Sequence, residues 1–176
     1  MSLPFGPPVD PMLARLMAEI PQGDQWRFEP KWDGLRAIAF CDGNDVIVQS
    51  RDRRDLARYF PELVDVLRSS LDKACVLDGE IVLASESGLE FDRLLQRIHP
   101  AASRVNMLAQ STPATFVSFD LLAEDATDLR AAPLEERRRR LLEITGPSPD
   151  PLAVALSPGP ALVTTAQQDD AGAALT

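Results

Sequence analysis

Glu29-Pro30-Lys31-Trp32-Asp33-Gly34-Leu35-Arg36 is the stretch on which the reading of this chain turns. It holds one of only two lysines among the 18 basic residues; the other is Lys73. An arginine stays protonated, whereas a desolvated lysine can lose its proton and act as a nitrogen nucleophile. If the segment is extended, the side-chain period of two puts Glu29, Lys31 and Asp33 on one face and Trp32 on the other. Pro30 cannot donate to a ladder, which predicts an edge or an irregularity there. Asp33-Gly34 is a turn signal, and Gly34 admits a close backbone or phosphate neighbour. The plain alternative is a half-buried hairpin strand with a solvated lysine.

Outward from this stretch the pattern alternates between strand and helix. Residues 2–11 hold four prolines and read as an extended arm, followed by a short helix over 11–17. A strand over 25–31 leads into the lysine. Residues 35–41 and 46–50 are β-favouring runs joined by Asp42-Gly43-Asn44-Asp45, a hairpin with glycine in its loop. A charged loop, Ser50 to Asp55, follows. Apolar spacing predicts a helix over 61–71. Residues 74–84 read as a strand containing Asp78-Gly79-Glu80, two acids in an apolar setting that need a partner or a ligand. Helices are expected over 90–98 and 101–110, broken at Pro100, then a strand over 115–122 with Phe119 and Asp120. Residues 133–143 form a strong helix pattern, with proline first, acids in the opening turn and arginines later. The run Arg137 to Arg140 is the densest positive patch. Four successive arginines cannot share one helix face, and a solvated surface is the expectation for them. Beyond 146 a proline-rich loop surrounds a short strand over 152–156, with a last strand over 161–165 and the start of a helix in the tail.

Lys31-Trp32-Asp33-Gly34 with Arg36 resembles the nucleotidyltransferase signature lysine-x-Asp-Gly-x-arginine, shared by DNA ligases, RNA ligases and messenger-RNA capping enzymes. Further elements follow in that superfamily's order: Ser50-Arg51, Asp78-Gly79-Glu80 and Phe119-Asp120-Leu121-Leu122. With Pro11-Met12-Leu13-Ala14, the segment Phe91 to Arg97 and the Pro-Leu-Glu-x-Arg-Arg helix, the chain is similar to bacterial ATP-dependent DNA ligases of the ligase C group. The resemblance implies an α+β fold, with antiparallel sheets and flanking helices, of the ATP-grasp-like adenylation type. It implies Lys31 as the nucleophile attacking the α-phosphate of ATP. It also implies Glu29 near the base edge, Arg36 and Arg51 at ribose or phosphates, Glu80 on the ribose or a Mg2+ or Mn2+ ion, and Phe119 stacked on adenine. Roles for Asp33 and Asp120 stay open. The segment from Phe91 to Arg97 reads as structural. ATP rather than NAD is the expected donor, because only thirty residues precede Lys31 and NAD-dependent ligases place a long module there.

Composition narrows the rest. A 45% hydrophobic and 26% charged chain is an ordinary globular protein. No apolar run approaches the roughly 20 residues of a membrane span, and no secretory leader is evident, so a cytoplasmic protein is expected; the resemblance implies a bacterial, nucleoid-associated one. Cys41 and Cys75 read as buried reduced thiols. His99, the one histidine, argues against a His-rich metal site. A net charge of −9 is unusual for a nucleic-acid binder. The family's Glu-Gly-Val-Val-like strand, its lysine-x-lysine strand and its oligonucleotide-binding domain have no counterpart here. Residues 1–176 are therefore expected to be a C-terminally incomplete adenylation domain that meets nicked double-stranded DNA through the full-length protein. The competing readings are an inactive nucleotide- or DNA-binding module and an RNA ligase or GTP-using capping enzyme.

Overall fold

Strand-forming residues on either side of a two-residue Gly43-Asn44 turn build the first hairpin, β1 (Leu35–Asp42) with β2 (Asp45–Ser50), paired from Asp42↔Asp45 to Ala37↔Ser50. Gly43 supplies the positive φ of 62° that the turn requires. The computed structural model describes residues 2–13, 19, 29–85, 88–146 and the backbone of 154–156. The sequence-expected helix beyond residue 13, the strand residues 25–28 and everything expected after 156 lie outside them.

A 3-10 turn, Ala57–Tyr59, and helix α1 (Pro61–Ser70), which opens on proline, lead to β3 (Cys75–Val82). A small hairpin, β4 (Ala84–Ser85) and β5 (Gly88–Leu89), precedes α2 (Phe91–Leu95) and α3 (Ala102–Ser111). Strand β6 (Thr115–Glu124), the short β7 (Thr127–Asp128), α4 (Leu134–Thr145) and β8 (Val154–Leu156) complete the described chain. The main sheet is antiparallel in the order β2-β1-β3-β6-β7, with β8 also on β6. This is the α+β architecture that the sequence predicts. Helix α2 is shorter than the predicted 90–98, and α1, α3 and α4 fall close to their predicted spans.

The two faces of the sheet have different company. Odd-numbered residues of β1 and β3 (Ala37, Ala39, Cys41, Cys75, Leu77, Ile81) join Leu63 and Leu67 of α1, Leu94 of α2 and Leu141 of α4 in the main core. The even-numbered residues face away from the helices. At one end of that second face Ile38, Phe40, Val76 and Ala123 are covered by Leu3, Phe5 and Val9 of the N-terminal arm. The arm is tied down by reciprocal bonds between the Val9 backbone and the Gln49 amide (3.0 and 2.6 Å) and by an Arg53–Asp10 pair. At the other end Trp32 packs on Val82 and Val117. Between them lies the part of the face that carries the functional candidates.

The helical layer is locked by a buried arginine. Arg97, with 0% exposure, meets the Glu62 carboxylate of α1 at 2.7 and 2.9 Å and donates to the carbonyls of Tyr59 (3.0 Å) and Thr112 (2.9 Å). Glu62 in turn accepts the Ala114 N–H at the start of β6. One ion pair thus joins α1, the end of α2, the end of α3 and β6, which bears out a structural role for the 91–97 segment. His99 accepts the Ala101 N–H through Nδ1 at the entry to α3. Cys41 and Cys75 lie opposite each other in β1 and β3 as buried free thiols.

Breaking a buried pair from one side strands a charge, at a cost of about 3–5 kcal/mol. Arg97→Ala is therefore expected to lose stability of that order in urea titrations. Asp65→Ala, which removes a carboxylate 75% exposed and paired with Arg68, should change it by less than about 1 kcal/mol.

Candidate active site

Three observations fix the lysine segment against the sheet. Glu29 makes a single bridge and residues 30–34 are not in a ladder, so side chains and close contacts do the holding. Gly34 is the tightest of these contacts. A Cβ there would lie 2.2 Å from the Ile81 carbonyl oxygen and 2.8 Å from Glu80 Cγ, so only glycine fits. Its N–H donates to the Glu80 carboxylate. Trp32 packs inward on Val82 and Val117, and Lys31 and Asp33 point outward and are exposed. The expected shared face of Glu29, Lys31 and Asp33 does not form. Glu29 turns inward, with its side chain 11% exposed, to an ion pair with Arg138 of α4 at 3.0 Å.

The β1–β3 register sets Arg36 opposite Glu80 and Ile38 opposite Asp78, so all four side chains stand on the same face. Arg36 holds Asp78 with a two-pronged bond, Nε to Oδ1 at 2.8 Å and Nη2 to Oδ2 at 2.9 Å. Its guanidinium also lies 4.3 Å from the centre of the Phe119 ring. Phe119 reaches that position through an irregularity in β6. Gly79 pairs with Ser118 and Asp78 with Asp120, which leaves Phe119 as the extra residue of a bulge. Gly79 permits the approach, since a Cβ there would be 2.4 Å from the Val117 carbonyl oxygen.

Helix α4 supplies the remaining contacts. Arg137 grips Asp120 at 2.7 and 2.9 Å, and Arg138 Nη1 donates to the Phe119 carbonyl at 2.8 Å as well as to Glu29. Arg140 pairs with Glu124 and Glu136. Of the arginine run, only Arg139 is exposed, paired with Glu143 one turn on. The expectation of a solvated arginine surface is thus corrected. The run falls on the stripe of Leu134, Leu141 and Leu142, and at i+3 and i+4 from Leu134 it faces the sheet, where carboxylates await it. That spacing was the signal that could have identified Arg137 and Arg138 from the sequence.

Burial dominates the titration of both acids of β3. Asp78, 4% exposed, is pushed above the usual carboxylate range by burial, against the pull of Arg36. Glu80 is pushed up to about 7, again by burial first, with Arg36 opposing and Asp78 adding repulsion. Arg51 is exposed at the end of β2, and its N–H bonds the Arg36 carbonyl at 3.2 Å, so its backbone adjoins the site. Glu80, Arg36 and Phe119 are therefore gathered on one face of the sheet, Glu29 is tied to β6 through Arg138, and Lys31 is exposed in the irregular segment three residues before Gly34.

The site fits a nucleotide in part. It offers an aromatic ring, a buried carboxyl, a glycine-lined approach and guanidinium groups. One face of Phe119 already carries Arg36, so a purine stacking there requires the guanidinium to move. No set of three His, Cys, Asp or Glu side chains that could hold a metal ion is gathered among the described residues, and Glu80 is not part of such a set.

A carboxyl whose pKa is raised on folding binds its proton more tightly in the folded state. Glu80 therefore stabilises the fold below the ordinary carboxylate range, and that contribution is lost as pH rises through about 7. Glu80→Gln, which cannot ionise, is expected to gain in Tm relative to the parent protein as pH rises from 4.5 to 7 and to keep a constant difference above that. Parallel melts across this range check it, and a difference that is flat throughout contradicts the shift.

Comparison with known proteins places these residues in context. A family model described as "ATP dependent DNA ligase domain" matches residues 11–168. DNA ligase C of Mycobacterium tuberculosis is 48% identical over 170 residues, covering 96% of this chain and 47% of that protein. DNA ligase C1 of Mycolicibacterium smegmatis is 51% identical over 148 residues, covering 81% of this chain and 42% of that protein. This chain thus spans less than half the length of these relatives. Among solved structures, the ligase domain of M. tuberculosis LigD is similar with a TM-score of 0.54 and 33% identity, over 67% of this chain and 36% of that one. Mycobacterial DNA ligase D complexed with ATP and MES is similar with a TM-score of 0.50 and 32% identity, over 77% and 40%.

Proposed function

Because this chain belongs to the ATP-dependent DNA ligase domain family, we propose that it is the adenylation part of a bacterial ATP-dependent DNA ligase of the C group. Lys31 is the nucleophile in this reading. The observation that carries it is the anchoring of the lysine segment at Gly34, whose N–H binds Glu80, a residue that shares its sheet face with Arg36 and so with the Phe119 ring, while Lys31 stays exposed.

In the first step Lys31 Nζ forms a bond to the α-phosphorus of ATP, the bond from that phosphorus to the bridging oxygen breaks, and pyrophosphate leaves. The amine must shed its proton to solvent before or during attack. Arg36 and Arg51 take the phosphates or ribose, Glu80 the ribose hydroxyls, Glu29 the base edge and Phe119 the adenine ring. A guanidinium can reach a phosphate with two parallel bonds, which suits Arg36 once it leaves Asp78. A divalent Mg2+ or Mn2+ ion would supply charge neutralisation at the phosphates. Since the described residues form no metal cluster, no step is assigned to it. The AMP then passes to the 5′-phosphate of nicked DNA and a 3′-hydroxyl displaces it, within the full-length protein and with an oligonucleotide-binding domain. DNA repair, replication and recombination in the cytoplasm are the corresponding settings.

Intact-protein mass after incubation with ATP and Mg2+ or Mn2+ tests the first step. The expected outcome is a gain of one AMP, absent in Lys31→Ala and absent with GTP. A folded protein that gains no mass would sink the claim of activity for this chain and favour an inactive nucleotide-binding module. A gain with GTP alone would favour the capping-enzyme reading, and preference for RNA nicks in the full-length protein the RNA-ligase one.

A further inference from the structure

Two of the groups assigned to the nucleotide are already in contact with each other. Phe119 is 8% exposed, and the Arg36 guanidinium lies 4.3 Å from the centre of its ring, within reach of a cation–π contact. The ring is the fixed member. Gly79 lets β6 close onto β3 beside it, and Arg138 holds the Phe119 carbonyl at 2.8 Å. Arg36 is the member that can leave, because its side chain is 25% exposed and has an outlet to solvent along its own stem. Asp78 holds it in place through the two parallel bonds of 2.8 and 2.9 Å. The Asp78 side chain is 5% exposed, and the next cation in the row, Arg137, is committed to Asp120. Withdrawing Arg36 therefore strands a buried carboxylate, which is unfavourable unless the guanidinium gains another anion.

We propose that Asp78 is a positioning residue that couples base recognition to phosphate recognition: it latches Arg36 over the Phe119 ring, and a phosphate draws the guanidinium away and opens the ring to the base. A nucleoside brings a base and no anion, so it must displace Arg36 from both the ring and Asp78 with no charge offered in return. A nucleoside triphosphate brings phosphate oxygens that accept the same two parallel bonds. One side-chain movement then clears the ring and seats the phosphate, so the two subsites share a coupling free energy and the site discriminates nucleotides from nucleosides. The pair is not required merely to join its strands, since the β1–β3 ladder already runs from Leu35↔Ile81 to Cys41↔Cys75. Lysine would not serve at position 36, because it has neither the flat face that lies on a ring nor the fork that meets a carboxylate and a phosphate alike.

The inference rests on the reading of Phe119 and Arg36 as base and phosphate contacts, and its test needs no catalysis. Adenosine and inorganic tripolyphosphate, titrated separately and together by calorimetry, are the probes. In the parent protein saturating tripolyphosphate is expected to tighten adenosine binding by roughly five- to tenfold, the low end of typical coupling between two ligands. In Arg36→Ala the ring is open from the start. Adenosine alone should then bind about as tightly as it binds the parent with tripolyphosphate present, and adding tripolyphosphate should change nothing. Asp78→Asn keeps the shape but is neutral, with one acceptor oxygen where the carboxylate has two. It should tighten adenosine binding and shrink the coupling, whereas damage to the fold would weaken both ligands. Arg139→Ala should behave as the parent. No coupling in the parent, coupling that persists in Arg36→Ala, or adenosine bound no more tightly by Asp78→Asn would each overturn the proposal. If the coupling behaves as expected while no AMP adduct forms on Lys31, the latch stands and the proposed activity of this chain fails. An adduct without coupling keeps the activity and removes the latch.

Discussion

The pair between Arg36 and Asp78 sets what the open face of the sheet can be. A carboxylate 4% exposed in the central strand is costly unless compensated. Arg36 answers it with two parallel bonds and is itself drawn down across the sheet. That orientation lays the guanidinium on the ring of Phe119, the extra residue of the bulge in β6. Asp120 sits opposite Asp78 and would repel it, but Arg137 holds Asp120. The result is a row of four charges, Arg36, Asp78, Asp120 and Arg137, with two adjacent acids flanked by a guanidinium at each end, running from β1 across β3 and β6 to α4. Its compensation lets acids stand in the middle of a sheet and keeps Glu80, one step along β3, in a partly desolvated setting.

Helix α4 is therefore more than a cover for the core. Leu141 faces the core, and on the same side the arginines reach past it to the carboxylates of the sheet and of the lysine segment. Arginine suits these positions because each guanidinium meets two acceptors at once, as Arg137 does with Asp120 and the Ala132 carbonyl. The buried Arg97–Glu62 pair does the corresponding work among α1, α2, α3 and β6. Apolar burial holds the layers together, and guanidinium groups set how they are aligned.

Much of the fold was legible in the sequence. The hairpin at Gly43, helix α1 opening on Pro61, the acids of β3 and the charge order along α4 each follow from local rules of turn chemistry, capping and periodicity. The family resemblance lay in short motifs whose residues had to be of particular types. Gly34 shows why: with the Ile81 carbonyl 2.2 Å from where a Cβ would stand, no other residue fits, so the motif glycine is a steric necessity of packing. Less legible was which way side chains turn in irregular backbone. The period of two placed Glu29 beside Lys31 and Asp33, and the segment is not a regular strand, so that period does not apply.

What the sequence by itself determined was the order and type of the elements, the α+β class and the set of residues with the chemistry of a nucleotide-binding lysine site, because these depend on residue identity and near neighbours. What only the tertiary structure decided was how distant charges are matched. Arg138 lies 109 positions from Glu29, and Arg36 lies 42 from Asp78. A run of arginines reads as solvated surface until the fold brings carboxylates to meet it. The bulge that delivers Phe119 to Arg36 is likewise a property of two strands in register. The physical reason is the same in each case: electrostatic partners and strand registers are chosen by proximity in the folded chain, and proximity across so many residues is settled by the packing of the whole sheet.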